Sequence, residues 1–154
     1  EGKHTYRPLQ VLEGHAERVY AVAVCEKSGN IVTASLDKTV KVWAQIEGKY
    51  KVVDELGGYN SQIWTVAVCP RTGNILTGTD DKVVTVWKKN EGAPSFQLFQ
   101  VLEGPRQWVY SVAVCPRTGN IIAGSRDKTV TIWKPANIDS NEIGDDLIKL
   151  KLAS

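Results

Sequence analysis

The chain has 154 residues, of which 42% are hydrophobic and 23% charged, and its formal net charge is +2 at pH 7. A chain of this length buries roughly 70% of its unfolded surface in one domain. The small net charge gives no electrostatic reason to expect a nucleic acid or an anionic membrane as the main partner. From the lack of long apolar runs and of a signal-peptide pattern, we expect no membrane-spanning segment and no secretory leader.

The first predicted elements are two β-strands. Residues Tyr6 to Leu12 have the pattern of a polar strand, and Pro8 suits its edge because a proline has no N–H to donate to a sheet. In Val19 to Cys25 nearly all side chains on both alternating faces are apolar, which is typical of a strand buried on both faces. We therefore expect the second strand to lie deeper in the fold than the first.

A hairpin and two further strands complete this unit. The turn Glu26 to Asn30 ends in Gly29-Asn30, and this pair is predicted to supply the positive φ angles of a tight hairpin. Ile31 to Ser35 is the next predicted strand. A short turn then leads to Thr39 to Trp43, which is rich in β-branched residues.

The same block occurs three times. Residues 11–43 return as residues 55–87 and again as residues 101–133, at offsets of 44 and then 46 residues. A period of this size indicates a repeat architecture. A fourth, more polar strand is predicted between the blocks, at Tyr50 to Leu56 and at Phe96 to Leu102. We therefore predict an all-β fold of four-stranded antiparallel meanders without a helix.

The spacing of a few residues inside the block resembles that of a known family. Gly14-His15 precedes the first long strand, and Asp37 stands six residues before Trp43. This pattern resembles the WD40 repeat of β-propellers, over about residues 6–134. The later copies depart from it, because the Gly-His pair becomes Gly58-Tyr59 and then Gly104-Pro105, and an Asp never follows the tryptophan.

The resemblance implies three propeller blades and a tail. The blades of domain 1–134 are expected at about 6–45, 46–89 and 90–134, and residues 135–154 are expected to form a polar linker and tail. Within this tail residues 146–152 alternate weakly and are a possible edge strand.

Three blades are too few for a closed ring. Propellers close with about four to eight blades, so two apolar sheet faces stay open. A second copy would give six blades with two-fold symmetry, and the alternative source is a longer polypeptide or a large complex. Either the first strand, from Tyr6 to Leu12, or the tail would supply the fourth strand of the third blade.

The resemblance also implies a buried hydrogen-bonded tetrad of His, Ser or Thr, Asp and Trp. Ser, His and Asp side by side would also suit a nucleophilic triad. Asp37 recurs in every copy, however, whereas His15 does not, so we expect a structural role, no catalytic residues and no enzyme. Since the later copies lack the histidine, their joints are expected to be less rigid. The predicted tetrad residues are His15, Ser35 (or Thr33), Asp37 and Trp43, with Asp81, Trp87, Asp127 and Trp133 in the later copies.

Other chemical signals are weak. His4 and His15 are too few and too separate for a typical zinc site, and no phosphate-binding glycine loop occurs, so we expect no cofactor and no metal. One cysteine occupies the same position in each repeat (Cys25, Cys69 and Cys115), which favours buried apolar thiols of an intracellular protein over disulfides. We expect a cytoplasmic location, with the nucleus as the alternative.

By the same resemblance, a propeller binds partners at the start of its innermost strands and just before the turn Asp. Here these positions are rich in Tyr, Trp and Arg, which are enriched at interface hot spots. Trp108 and Arg18 are not repeated in kind, so they are the strongest candidates. The predicted partner-binding face comprises Arg18, Tyr20, Leu36, Gln62, Trp64, Asp80, Trp108, Tyr110 and Arg126.

Two function hypotheses follow. The first is a non-catalytic scaffold that binds a protein or peptide on this face. The second is a structural half-propeller that assembles as a homodimer or as a subunit of a large complex.

Overall fold

The structure, a computed structural model, describes residues 5–136. Within this range the chain forms eleven β-strands and no helix, in three antiparallel sheets that follow one another along the chain. The predicted all-β fold is confirmed, and the propeller is not closed. No helix in the described range is long and apolar enough to cross a membrane. The predicted tail strand at 146–152 lies outside the described residues.

The three sheets are called the first, second and third blades. The first blade contains β1 (Val19–Val24), β2 (Ile31–Ser35), β3 (Val40–Ile46) and β4 (Lys49–Leu56). The second contains β5 (Ile63–Val68), β6 (Ile75–Thr79), β7 (Val84–Lys89) and β8 (Phe96–Leu102). The third contains β9 (Val109–Val114), β10 (Ile121–Ser125) and β11 (Val130–Trp133). Among the described residues this last blade therefore has three strands.

The segment from Tyr6 to Leu12 differs from the prediction, because it forms no strand. A strand needs a hydrogen-bonded neighbour, and no backbone ladder joins this segment to a sheet of the described chain. The side chain of Gln10 instead pairs with the edge of β4. Its Nε2 donates to the Tyr50 carbonyl at 3.0 Å, and its Oε1 accepts from the Tyr50 N–H at 2.9 Å.

The core consists of two apolar clusters, one at each joint between blades. Val40 and Val42 of the first blade pack with Ile63 and Val66 of the second. Leu76, Val84 and Val86 of the second blade pack in the same way with Val109 and Val112 of the third. The second joint is so close that a Cβ atom on Gly78 would lie 2.6 Å from side-chain atoms of Thr65 and Val109. Glycine at this position therefore lets the blades approach.

Tight hairpins connect the first two strands of every blade. In the first blade the Cys25 N–H donates to the Asn30 carbonyl at 2.8 Å, and the Gly29 N–H donates to the Cys25 carbonyl at 2.8 Å. The positive φ angle belongs to Gly29 (71°), whereas Asn30, which was expected to share it, has none. The cysteines are half-buried rather than buried, because each stands where a strand ends at the hairpin.

Candidate functional site

Four aromatic side chains form a continuous row across the three innermost strands. Tyr20 of β1 lies 5.0 Å from Trp64 of β5, measured between ring centroids. Trp64 stacks on Trp108 at 5.8 Å with an interplanar angle of 14°, and its edge contacts Tyr110 of β9 at 5.6 Å. The guanidinium of Arg126 lies 4.8 Å from the Trp108 ring centroid, a cation–π contact. We call these residues, with Arg18, the aromatic face.

The backbone fixes the outer members of this face in pairs. In each blade the N–H of the residue just before the turn Asp donates to a carbonyl at the start of the innermost strand. The accepting residue stands two positions before Tyr20, Trp64 or Tyr110. Arg126 donates to Trp108 at 2.9 Å and Leu36 to Arg18 at 2.9 Å, while Asp80 donates to Gln62 at 3.2 Å. The structure therefore brings the nine predicted face residues to one end of the blades.

Exposure divides this face into supporting and accessible side chains. Trp64 is half-buried between its neighbours, and its indole N–H is buried without a partner in the described range. Tyr20, Tyr110, Arg18 and Arg126 are exposed. Trp64 therefore supports the row, while the residues around it present aromatic and cationic surface to solvent.

A hydrogen-bonded relay fixes the turn of the first blade beside this face. His15 Nδ1 lies 2.8 Å from Asp37 Oδ2, and its Nε2 lies 2.7 Å from Thr33 Oγ1. The Trp43 indole N–H donates to Thr33 Oγ1 at 2.9 Å. Because an ionised Asp37 only accepts, His15 Nδ1 carries the proton, and in the neutral imidazole the Thr33 hydroxyl then donates to Nε2. This assignment of the tautomer rests on the hydrogen-bond pattern.

The relay corrects one predicted member of the tetrad. Thr33 joins His15 to Trp43, whereas the Ser35 hydroxyl donates to the Glu17 carbonyl at 3.2 Å and accepts from the Asp37 N–H at 3.1 Å. Successive side chains of a strand point to opposite faces, so residues 33 and 35 share a face. Trp43 lies opposite Ile31 in the ladder, so Thr33 is two residues nearer to its indole than Ser35. Thr33 is buried within the relay, which keeps its hydroxyl from a substrate.

Asp37 is held in its ionised form. Burial by itself would raise its pKa, but hydrogen bonds from Thr39, His15 and the Ala16 N–H outweigh that effect. They hold the pKa of Asp37 well below its ordinary value. The donors keep the carboxylate charged and thereby lock the turn.

In the second blade a tyrosine takes the place of the histidine, which the sequence analysis did not foresee. The Trp87 indole N–H donates to Tyr59 Oη at 2.6 Å, and Tyr59 Oη lies 2.9 Å from Thr77 Oγ1. Burial raises the pKa of Tyr59, although its hydrogen bonds partly oppose this. The signal was a Tyr at the position of His15.

Asp81, in contrast, accepts no hydrogen bond within the described residues, which differs from its expected role. The reason is local. Val83 stands where Thr39 and Thr129 supply a hydroxyl to the turn Asp in the other blades. The neighbouring Asp80 accepts from the Gln62 N–H at 3.1 Å instead.

The third blade keeps only the carboxylate end of the relay. Pro105 and Ala123 stand where His15 and Thr33 stand in the first blade, so the Trp133 indole N–H donates to the Glu103 carbonyl at 3.2 Å. The Thr129 hydroxyl, followed by the Arg106 N–H, lowers the pKa of Asp127 to about 2. The turn at Asp127 is therefore held by its own hydrogen bonds, and within the described residues no chain of hydrogen bonds joins it to Trp133.

The aromatic face is a surface rather than a pocket. A concavity of about 140 Å³ lies at the opposite end and is lined by residues including Cys25, Lys27 and Phe96. Residues 5–136 contain no group of three or more His, Cys, Asp or Glu side chains that is suited to a metal ion. The arrangement favours contact with a macromolecule over enclosure of a small ligand.

Comparison with known families gives the same repeats. The WD40 family profile, described as WD domain, G-beta repeat, matches residues 6–44, 50–88 and 96–134. The chain belongs to the WD40 repeat family. WD40 repeats generally mediate protein–protein interaction, and WD40 domains are generally non-catalytic scaffolds. No curated protein matches the chain.

Proposed function

We propose that this WD40 chain is a non-catalytic scaffold that binds a protein or peptide on its aromatic face, inside the cell, in the cytoplasm or alternatively in the nucleus. The observation that carries the proposal is the continuous row of four aromatic rings flanked by exposed arginines. Tyr and Trp bury large areas at low entropic cost, and the planar Arg guanidinium stacks on aromatic rings and forms several hydrogen bonds; all three are enriched in binding hot spots.

Within this face Trp108 and its neighbour Arg126 form the expected centre of binding. Trp108 takes the position that Arg18 and Gln62 hold in the other blades. Since the other blades fold without an aromatic ring there, the ring of Trp108 is not required to build a blade. This ring stacks on Trp64, and its centroid lies 4.8 Å from the Arg126 guanidinium. A partner that displaces or extends this cation contacts a ring that is already fixed, which lowers the entropic cost of binding.

The test compares two ends of the same molecule. The wild-type chain, Arg18→Ala, Trp108→Ala and a control, Arg71→Ala/Arg117→Ala at the opposite end, are used to capture proteins from a cell extract. A partner of the aromatic face is a protein whose captured amount falls at least about tenfold with the face variants, corresponding to about 1.4 kcal/mol of binding free energy. Its captured amount should be unchanged with the control variant.

Thermal unfolding of each variant controls for stability. The Arg18 side chain makes no hydrogen bond or ion pair within the described residues, so Arg18→Ala tests binding even if Trp108→Ala destabilises the row. If the face variants and the control fail to capture the same proteins, or if neither face variant captures less of any protein, the aromatic face is not the binding site.

A second candidate function is assembly of the half-propeller, and the exposure of its end faces favours it. Val22 of β1 is 66% exposed, whereas Val66 at the same repeat position is 7% exposed. At the other end of the array Val130 and Ile132 of β11 are 65% and 62% exposed, whereas Val84 and Val86 are 0% and 5% exposed. Both ends thus present the surfaces that are buried at the internal joints, and the two surfaces are mutually complementary.

The N-terminal segment adds an edge to this argument. Gln10 pairs with the backbone of Tyr50, as Asp54 one repeat later accepts from the Phe96 N–H at 2.7 Å. Gln10, in the segment 6–12, thus contacts β4 of the first blade in the way that Asp54 of β4 contacts β8 of the second blade. We propose that they pair with β11 of a second copy in the shared register of β3 with β4 and β7 with β8, which places Leu12 opposite Val130. Two copies then form six blades, and a larger complex remains the alternative.

Light scattering over a range of concentrations tests the assembly. We expect the mass of two chains for the wild type and of one chain for Val130→Glu, because burying a charge in an apolar joint is costly. Val52→Glu, at a valine that is exposed on the outer strand β4, is the matched control and should keep the larger mass. A wild-type chain that stays monomeric and monodisperse at all concentrations would overturn the homodimer.

A further inference from the structure

The end of the blades opposite the aromatic face carries an excess of positive charge. This hairpin end comprises the first hairpin of each blade, the connections from β3 to β4 and from β7 to β8, and the residues that follow β11. Together with the strand residues that adjoin these connections, Lys49, Lys51, Lys88 and Lys89, it holds 8 of the 16 basic side chains of residues 5–136 but only 3 of the 12 acidic ones, Glu26, Glu47 and Glu91. The remaining described residues carry 8 basic and 9 acidic side chains, so the excess of positive charge lies at the hairpin end.

Three of these basic side chains form a regular row. Lys27, Arg71 and Arg117 occupy the same position in three hairpins, each closed by the same pair of backbone hydrogen bonds of 2.8 to 2.9 Å. The hairpins also contact one another. Lys27 Nζ donates to the Arg71 carbonyl, and Arg71 Nη1 lies 3.4 Å from the point that a Cβ atom on Gly119 would occupy. The repeat geometry thus places one exposed cation on each blade, and the three stand side by side.

The chain leaves the described structure beside this row. Pro135 Cγ lies 3.3 Å from the same point of Gly119 that Arg71 approaches, so residue 136 is within a few residues' reach of Arg71 and Arg117. The sequence that follows is acidic. Residues 139–146 contain Asp139, Glu142, Asp145 and Asp146 and no basic residue. At about 3.3–3.6 Å per extended residue, eight residues can reach at most about 26–29 Å, which exceeds the separation of hairpins that contact one another.

We propose that the acidic stretch 139–146 binds the row formed by Lys27, Arg71 and Arg117 in the same chain. Each exposed ion pair contributes at most about 1 kcal/mol. The tether compensates for this weakness, because a short linker holds the segment at a millimolar effective concentration. The contact covers the hairpin end against other acidic polypeptides and weakens with salt. It is independent of the function proposed for the aromatic face.

Zero-length carbodiimide crosslinking of the full chain tests this contact, because it joins carboxylates to amines that touch. We expect the carboxylates of 139–146 to link to Lys27, Lys88 and Lys89, and not to the turn lysines Lys38, Lys82 and Lys128 of the other end. In about 0.5 M salt, where the Debye length falls to about 4 Å, the yield should drop several-fold.

Two charge-reversed triples make the test specific. Lys27→Glu/Arg71→Glu/Arg117→Glu removes the row, and links to Lys88 and Lys89 should fall at least about fivefold, as expected for the loss of three ion pairs. Lys38→Glu/Lys82→Glu/Lys128→Glu changes the charge by the same amount at the other end and should leave the yield unchanged.

Three results would overturn the proposal. They are equal linking to lysines of both ends, an unchanged yield in the first triple, and links found only between two chains. The last result would assign the row to a second copy. Thermal unfolding of both triples verifies that the blades are folded, and the wild-type link map alone decides the question if the first triple unfolds.

Discussion

The first and third blades are built from the same repeat, yet equivalent residues have different surroundings in each. Val40 in the first blade is 0% exposed because the second blade packs against it, whereas Val130 in the third is 65% exposed. The turn Asp of the first blade connects through a histidine and a threonine to a buried tryptophan, whereas Asp127 bonds to Thr129 and to the Arg106 N–H but has no link to Trp133 within the described chain. The comparison shows that a repeat position does not fix burial, because burial depends on the blade that follows.

The difference also explains where the hydrogen-bonded relay is needed. In the first blade Trp43 is 3% exposed, so its N–H must find a partner inside the protein. Trp133 lies at the open end and is half-buried, and a single backbone carbonyl satisfies it. The loss of the histidine and threonine in the third blade therefore leaves no buried polar atom without a partner at this tryptophan.

The largest expected difference between the two blades is in packing. Val40→Ala removes two buried methyl groups and should lower the free energy of unfolding by about 2 kcal/mol, from lost transfer energy and the cavity left behind. Val130→Ala at the same repeat position should change it by less than about 0.5 kcal/mol in the monomer. Urea unfolding with an unchanged m-value measures both.

This pair of variants also bears on assembly. If a second chain covers Val130, the Val130→Ala variant should dissociate at a higher protein concentration than the wild type. Equal destabilisation by the two variants in a chain shown to be monomeric would contradict the assigned burial.

The next difference concerns the turn carboxylates. Asp37→Asn weakens the bonds to His15, Thr39 and the Ala16 N–H, and should cost on the order of 2 kcal/mol, as for hydrogen bonds to charged groups. Asp127→Asn should cost less, because Asp127 has no histidine partner and its bonds to Thr129 and the Arg106 N–H are exposed. Asp81→Asn is the matched control and should have no measurable effect, since Asp81 accepts no hydrogen bond among the described residues. A reversed order in urea unfolding would show that the relay does not stabilise the first blade.

The smallest expected effect is a pH dependence of the first blade. The pKa of Asp37 in the folded chain is lower than in the unfolded chain, where it is about 4. Its contribution is therefore complete above about pH 4 and is lost as the pH falls toward the folded-state pKa. The difference in unfolding free energy between the wild type and Asp37→Asn should shrink by up to about 1 kcal/mol between pH 5 and pH 2. A difference that is constant with pH would show that the charge of Asp37 is not what stabilises the turn.

Much of the fold was predictable from the sequence because its signals are local. The alternating apolar strands, the glycine of each hairpin and the fixed distance from turn Asp to Trp all act over a few residues, and three in-phase copies strengthen each signal. The positions of the aromatic face were also predictable by resemblance. Their contacts were not, since the stacking of Trp108 on Trp64 joins residues 44 apart in different blades.

Local chemistry misled the sequence analysis at specific residues. Ser35 and Thr33 both carry hydroxyls on one face of β2, and the pairing register of β2 with β3 decides which one lies nearer to Trp43 and enters the relay. Tyr59 stands at the repeat position of His15, and its longer side chain reaches Trp87 directly, without an intervening threonine. The segment Tyr6 to Leu12 has the pattern of a strand but no hydrogen-bonded neighbour, and a strand forms only by pairing.

The number of repeats, the strands within each and the residues that distinguish the copies follow from the amino-acid sequence, because they depend on periodicity and on short-range turn geometry. Which apolar faces are covered, which hydroxyl joins the histidine, and the gathering of cations at one end and aromatic rings at the other follow from the packed fold. Those features arise when blades pack side by side, and that packing brings together residues about one repeat apart.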